Sequence, residues 1–226
     1  MSAIAENLHR VQAQIQAACQ VAGRRPADVH LLAVSKTFGA DAVRQAHAAG
    51  QSAFGENYIQ EGVDKILALN DLDLEWHCIG PIQSNKTRLV AAHFDWVHSV
   101  DRLKTAERLS AQRPSTMAPL QVCIQVNIDG GDNKSGVLPG ETLALAQAVD
   151  ALPHLQLRGI MTIPEPYDDP ERTRAVHAQA HALWRQLQSQ GLQLDTLSMG
   201  MSADLQAAVQ EGSTMVRVGT AIFGRR

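Results

Sequence analysis

The stretch VHLLAVSK at 29–36 is a short apolar run that ends in a lysine, and seven further runs of the same kind follow it along the chain. They are SAFGEN at 52–57, EWHCIG at 75–80, WVHSVD at 96–101, LQVCIQVNI at 120–128, LQLRGIMTI at 155–163, TLSMGM at 196–201 and MVRVGT at 215–220. Each reads as a buried strand. Between and after them lie DAVRQAHAA, YIQEGVDKILAL, NKTRLVAAHF, RLKTAERLSAQ, GETLALAQAVDAL, ERTRAVHAQAHALWRQLQ and ADLQAAVQE, all with apolar residues at helical spacing. The early strand starts are too far apart for tight hairpins and wide enough for a crossover helix, so the sheet is expected to be parallel. Eight strand–helix units predict an α/β fold, a single (β/α)8 TIM-type barrel over residues 1–226. An open, doubly wound sheet is the competing arrangement, since strand count alone does not show closure. Upstream, Ile4, Leu8, Val11, Ile15, Ala18 and Ala22 alternate spacings of four and three and Gly23 supplies a stop, which places an extra N-terminal helix within 1–25, packed on the barrel.

The composition is that of an ordinary soluble enzyme-sized protein. Its 226 residues are 45% hydrophobic and 19% charged, with a formal net charge of -3. A nucleic-acid-binding face usually leaves a basic balance, so no nucleic-acid partner is expected. Glu6 and Arg10 interrupt any apolar run at the start, and no segment approaches the length that spans a bilayer, so neither a signal peptide nor a membrane partner is expected. Cys19, Cys78 and Cys123 are odd in number and scattered, forming neither a disulfide framework nor a zinc pattern, which points to a reducing cytoplasm. No segment stands out as a spare apolar surface, and a monomer is expected.

In such a barrel the chemistry lies at the C-terminal ends of the strands. Strand 1 ends in Ser35-Lys36-Thr37, where a lysine at the mouth either reaches solvent or, part-desolvated, forms an imine with an aldehyde. In strand 8, Val216 and Val218 suit the helix layer, so Arg217 must face the interior, where a guanidinium needs either a structural salt bridge or a ligand acceptor. Ser198, Gly200 and Ser202 after strand 7, with Gly219 and Thr220 after strand 8, offer donors on the two loops that form the recurrent phosphate site of these barrels. Singly, Ser202 reads equally as a helix cap and Gly219 as a turn. An aldehyde-trapping lysine, a phosphate cradle and an interior arginine together suggest pyridoxal 5'-phosphate, with Arg217 facing the pyridine nitrogen.

AVSKT, FGENYIQE, WHCIGPIQSNK, GIMTI, SMGMSADL and RVGTAIFG, in that order over nearly the whole chain, closely resemble the YggS/PROSC family of pyridoxal-phosphate-binding proteins. The resemblance implies a barrel similar to the N-terminal domain of alanine racemase, Lys36 as the aldimine lysine, and a role in cofactor homeostasis rather than an established catalytic activity. Alanine racemases, the family's relatives, draw a second acid/base tyrosine from an additional domain. The 226-residue sequence ends just after strand 8, and Tyr58 and Tyr167 are unproven substitutes, so two-base racemisation is not expected. An arginine beside the pyridine nitrogen also weakens the ring as an electron sink, although racemases resembling this barrel work with one.

Other candidates carry two readings each. Asn57 either lines the cofactor, as the FGEN resemblance suggests, or forms a turn. His77 either faces the ring or is a core histidine. Lys134 looks like the family's lysine in the loop after strand 5, where it either meets the cofactor or is simply exposed. His177 and His181 have metal-ligand spacing but no accompanying acidic residue, and read as solvated helix positions. Three functions compete on these residues: a carrier of pyridoxal phosphate and possible partner of other B6 vitamers and of apo-enzymes, an amino-acid racemase using that cofactor, and a Schiff-base aldolase acting on a sugar phosphate. The aldolase leaves Arg217 and the resemblance without a role.

Overall fold

In the computed structural model, residues 2–131 and 135–225 are described. Eight strands, β1 (His30–Val34), β2 (Ala53–Glu56), β3 (Glu75–Cys78), β4 (Trp96–Val100), β5 (Leu120–Val126), β6 (Leu155–Thr162), β7 (Thr196–Ser198) and β8 (Met215–Val218), pair in sequence order. Each is parallel to the next, and β8 returns to β1 with Leu32 opposite Arg217 and Ala33 opposite Val218. The ring is closed, which excludes the open doubly wound sheet. The helices are α1 (Ala3–Val21), α2 (Ala40–Ala48), α3 (Ile59–Ala68), α4 (Thr87–His93), α5 (Leu103–Gln112), α6 (Pro139–Asp150), α7 (Pro170–Ser189), α8 (Leu205–Gln210) and α9 (Thr220–Phe223). All but α9 fall where the periodicity predicts them. Four residues make barely one turn, too short to display an apolar repeat.

Two cores result from the alternation of side chains along parallel strands. Outward-facing residues such as Ala33, Phe54, Val97 and Val216 join Phe94, Leu109 and Leu187 from the helix layer in one continuous apolar shell. Inside the barrel Trp96, Cys123 and Met161 form a separate small cluster. Leu32 also faces this interior, and a polar row crosses it: His77, His98, Ser198 and Arg217 are all buried there and bonded to one another across the strands. Branched aliphatic layers usually fill such a lumen, so this polar row is a departure from the usual packing.

Helix α1 begins on a side-chain cap, Ser2 Oγ accepting from Ala5 N at 3.3 Å, and packs along α2, α8 and α9. Asn7 Nδ2 donates to Ile222 O at 3.0 Å, and Arg24 Nη1 donates to Val209 O and Ser213 O at 2.7 Å each. The N-terminal helix and the turn after it are thereby fastened to α8, the α8–β8 turn and α9. No helix among the described residues is long and apolar enough to cross a membrane.

Candidate functional site at the C-terminal mouth

The lysine of strand 1 stands in a turn two residues beyond the end of β1 and is exposed. The desolvation expected of it is therefore not supplied by the protein walls alone, because the strand stops at Val34 and the side chain rises above the rim. Its backbone, in contrast, is gripped on both sides. Ser35 Oγ donates to Glu56 Oε1 at 2.6 Å, and Lys65 Nζ donates to Ser35 O at 2.7 Å and to Glu56 Oε1 at 2.6 Å. Glu61 Oε1 lies 2.8 Å from Lys65 Nζ and accepts from the N–H of Thr37. Thr37 has φ +73°, a left-handed conformation that a β-branched residue adopts only under constraint. Burial pushes the Glu56 carboxyl above the usual carboxylate range, with Lys65 pulling it back. A buried ion pair behind β1 and β2 thus holds the lysine-bearing turn from outside the barrel.

Arg217 lies inside, as the alternation of β8 predicts. Its Nη1 donates to Ser198 Oγ at 2.7 Å and its Nη2 to Thr162 O at 2.8 Å, both at the C-terminal ends of their strands. Both acceptors are neutral; among the described residues no carboxylate pairs with it, so the structural salt bridge is not what is found. Burial pulls the guanidinium down to about 10, which leaves it charged at neutral pH. The hydroxyl of Thr162, whose carbonyl takes the Nη2 bond, is fully buried and its Oγ1 has no hydrogen-bond partner; next to the inward-facing Met161 on β6, it lies on the helix side of the strand.

The loops after β7 and β8 complete the mouth. Gly200 has φ +95°, and a Cβ there would collide with Ala208 Cβ, so only glycine lets the β7 loop pass under α8. Asp204 then ties the loop down: Oδ1 accepts from Met201 N at 2.6 Å and Oδ2 bonds His177 Nε2 at 3.0 Å. His177 is accordingly buried, a correction to its reading as solvated; it anchors this loop to α7. His181 is half-buried. Gly219 packs on the Val34 backbone, with a Cβ there reaching 3.0 Å from Val34 O, and Phe38 stacks on Phe223 at 5.3 Å. The last loop therefore sits against the strand that carries Lys36.

The expected ligand set divides accordingly. Lys36, Ser202 and Thr220 are exposed, Asn57 and Gly219 are half-buried, and Gly200 is buried in its loop. Ser198 is fully buried and its hydroxyl is committed to Arg217 and His98, so it supports the arginine and is no phosphate donor. His77 is also a core residue: both ring nitrogens are taken, Nδ1 by His98 at 2.8 Å and Nε2 by Glu75 at 2.8 Å. Lys134 lies outside the described residues. Tyr58 is 58% exposed. Tyr167 donates its hydroxyl to Asp129 Oδ2 at 3.3 Å under the guanidinium of Arg172, at 4.1 Å.

A charged guanidinium with no carboxylate in contact, an exposed amine and two glycine loops fit a flat, phosphorylated aldehyde with a ring acceptor. The barrel and this mouth define a class. The sequence matches the family model described as alanine racemase, N-terminal domain, over residues 6–226. It is also 60% identical over 226 residues to the pyridoxal phosphate homeostasis protein of Pseudomonas aeruginosa, covering 100% of this chain and 97% of that one. Among solved structures, PipY of Synechococcus elongatus PCC7942 with PLP bound superposes with a TM-score of 0.85 at 41% identity, over 98% of this chain and 100% of that one. An alanine racemase of Clostridium difficile shares the fold, with a TM-score of 0.77 at 18% identity, over 98% of this chain and 57% of that one. The chain belongs to the pyridoxal phosphate homeostasis protein family, within the alanine racemase N-terminal domain class of barrels.

Proposed function

We propose that this protein binds pyridoxal 5'-phosphate reversibly at the C-terminal mouth of its barrel and serves to store and hand on the cofactor in the cytoplasm. When bound, that cofactor supplies an aldehyde that condenses reversibly with a primary amine. The observation that carries the reading is the pairing of Arg217 and Lys36: a buried cation whose partners are neutral, below an exposed amine on the adjacent strand. Lys36 provides the amine, Arg217 offers N–H donors to the ring nitrogen, and Gly200, Ser202, Gly219 and Thr220 receive the phosphate through backbone amides and hydroxyls. Asn57 flanks the site where the backbone of Gly80 presses against it. The name of the Pseudomonas relative and the cofactor bound to PipY support the same assignment.

The carrier reading is favoured over a racemase by the two tyrosines, Tyr58 largely exposed and Tyr167 engaged by Asp129. Release from an open mouth also suits exchange with solution, with other B6 vitamers and with acceptor apo-enzymes, by a protein acting as a monomer. The test incubates the loaded protein with an apo-enzyme and, separately, with single-enantiomer amino acids. Reactivation of the apo-enzyme without sustained racemisation is expected; turnover at about 1 s⁻¹ or above would replace this reading by the racemase.

A further inference from the structure

The interior of the barrel holds a hydrogen-bonded chain that runs from one mouth to the other. Arg217 Nη1 lies 2.7 Å from Ser198 Oγ, which is 2.9 Å from His98 Nδ1; His98 Nε2 is 2.8 Å from His77 Nδ1, and His77 Nε2 is 2.8 Å from Glu75 Oε1. Glu75 is the first residue of β3, at the end of the barrel opposite the site, where its side chain is 49% exposed. Ser198, His77 and His98 are fully buried, and the ring of His77 stacks on Trp96 at 5.1 Å.

With both rings neutral, the carboxylate at one end fixes every proton along the chain, and the guanidinium at the other is compatible with that order. A guanidinium only donates and a carboxylate only accepts. Arg217 therefore donates to Ser198, and Ser198 turns its own O–H to His98 Nδ1. His98 must then carry its proton on Nε2 and give it to His77 Nδ1, and His77 gives its Nε2–H to Glu75. All four dipoles point the same way, from cation to anion, and each bond polarises the next. Burial lowers both histidines below the usual imidazole range, which keeps them neutral as this order requires; the titratable and charged groups bearing on them are Glu75, Asp95 and His30 on His77, and His77 and Arg217 on His98.

We infer that Glu75 is the counter-charge of Arg217, relayed through His77, His98 and Ser198, and that it positions the guanidinium for the ligand at the far mouth. Glu75 is thus a positioning residue remote from the site, and the polar lumen exists to connect them. The inference rests on the functional reading above for the identity of the ligand, though the proton order itself does not.

Long-range ¹⁵N–¹H spectra of the histidine-labelled, unliganded protein report tautomers directly. Both His77 and His98 are expected as Nε2–H forms. Glu75→Ala should let His98 populate the Nδ1–H form, and Glu75→Gln, whose amide oxygen still accepts, should restore the original order. A merely local structural role for Glu75 would not move the His98 tautomer. In parallel, affinity for added pyridoxal 5'-phosphate is measured for the wild type, Glu75→Ala, Ser198→Ala and the double variant. Glu75→Ala should weaken binding about threefold or more, with less than additive loss in the double variant, because coupled residues of one network do not act independently. A His98 Nδ1–H tautomer in the wild type, or additive losses, overturns the inference. If the wild type takes up no pyridoxal phosphate, the functional reading falls by itself and the tautomers still decide the chain.

Discussion

A guanidinium enclosed in a barrel is stable only where acceptors meet its donors, and Arg217 meets two neutral oxygens while retaining its charge. Such a residue favours a ligand that brings further acceptor capacity. Charge-assisted hydrogen bonds of that kind are worth roughly 1.5–3 kcal/mol each. Ser202→Ala, in the exposed part of the loop between β7 and α8, is therefore expected to weaken cofactor retention about tenfold, since roughly 1.4 kcal/mol is a factor of ten in affinity. Equilibrium dialysis against pyridoxal phosphate checks this, and unphosphorylated pyridoxal should show no such dependence on Ser202. Equal sensitivity of both vitamers would remove the phosphate from that loop. The residue scale is also where the sequence is least sufficient. Arg217 faces inward by strand alternation alone, but the partners of Ser198 come from β4 and β8, some 100 and 19 positions away, and no local pattern records them.

Between the elements, the contact that matters most is the ion pair of Glu56 at the end of β2 with Lys65 on α3. Taking one partner from a buried pair leaves the other charge without compensation, and Lys65→Met is expected to destabilise the fold by about 3–5 kcal/mol. The double variant Glu56→Gln with Lys65→Met should recover much of that loss. Urea unfolding measures both, and a double variant no more stable than the single one would contradict the ion-pair account. The eight strands and seven intervening helices were legible because apolar runs and helical repeats leave long, periodic traces. The clamp is not, because its members lie inside stretches that read as an ordinary strand and an ordinary helix; the i, i+4 spacing of Glu61 and Lys65 is the available signal. Helix α9 is too short to leave a trace, and His177 reads as solvated because its partner, Asp204, is 27 positions away.

For the molecule as a whole, the polar lumen makes stability depend on pH. Burial depresses His77 and His98, so below about pH 6.5 the unfolded chain takes up protons that the folded one refuses. Their contribution is complete above that value and is lost as pH falls towards the depressed folded values. Each histidine contributes a slope of up to about 1.4 kcal/mol per pH unit. Glu56 and Asp95, raised by burial, act in the opposite sense, losing stability as pH rises above the ordinary carboxylate range. Comparing the wild type with His98→Gln between about pH 5 and 6.5 isolates the histidine. Denaturant unfolding should show a shallower slope in the variant by about 1 kcal/mol per pH unit; equal slopes would mean that His98 is not a buried neutral group.

The central claim, that this barrel holds pyridoxal phosphate through Lys36 above Arg217, is tested most directly by reducing the cofactor-loaded protein with borohydride and locating the label by peptide mass. The expected result is a single modification on Lys36, lost in Lys36→Ala without loss of the fold. A label carried chiefly by Lys134, Lys65 or any other lysine, or no label on a protein shown to be folded and supplied with cofactor, would contradict it.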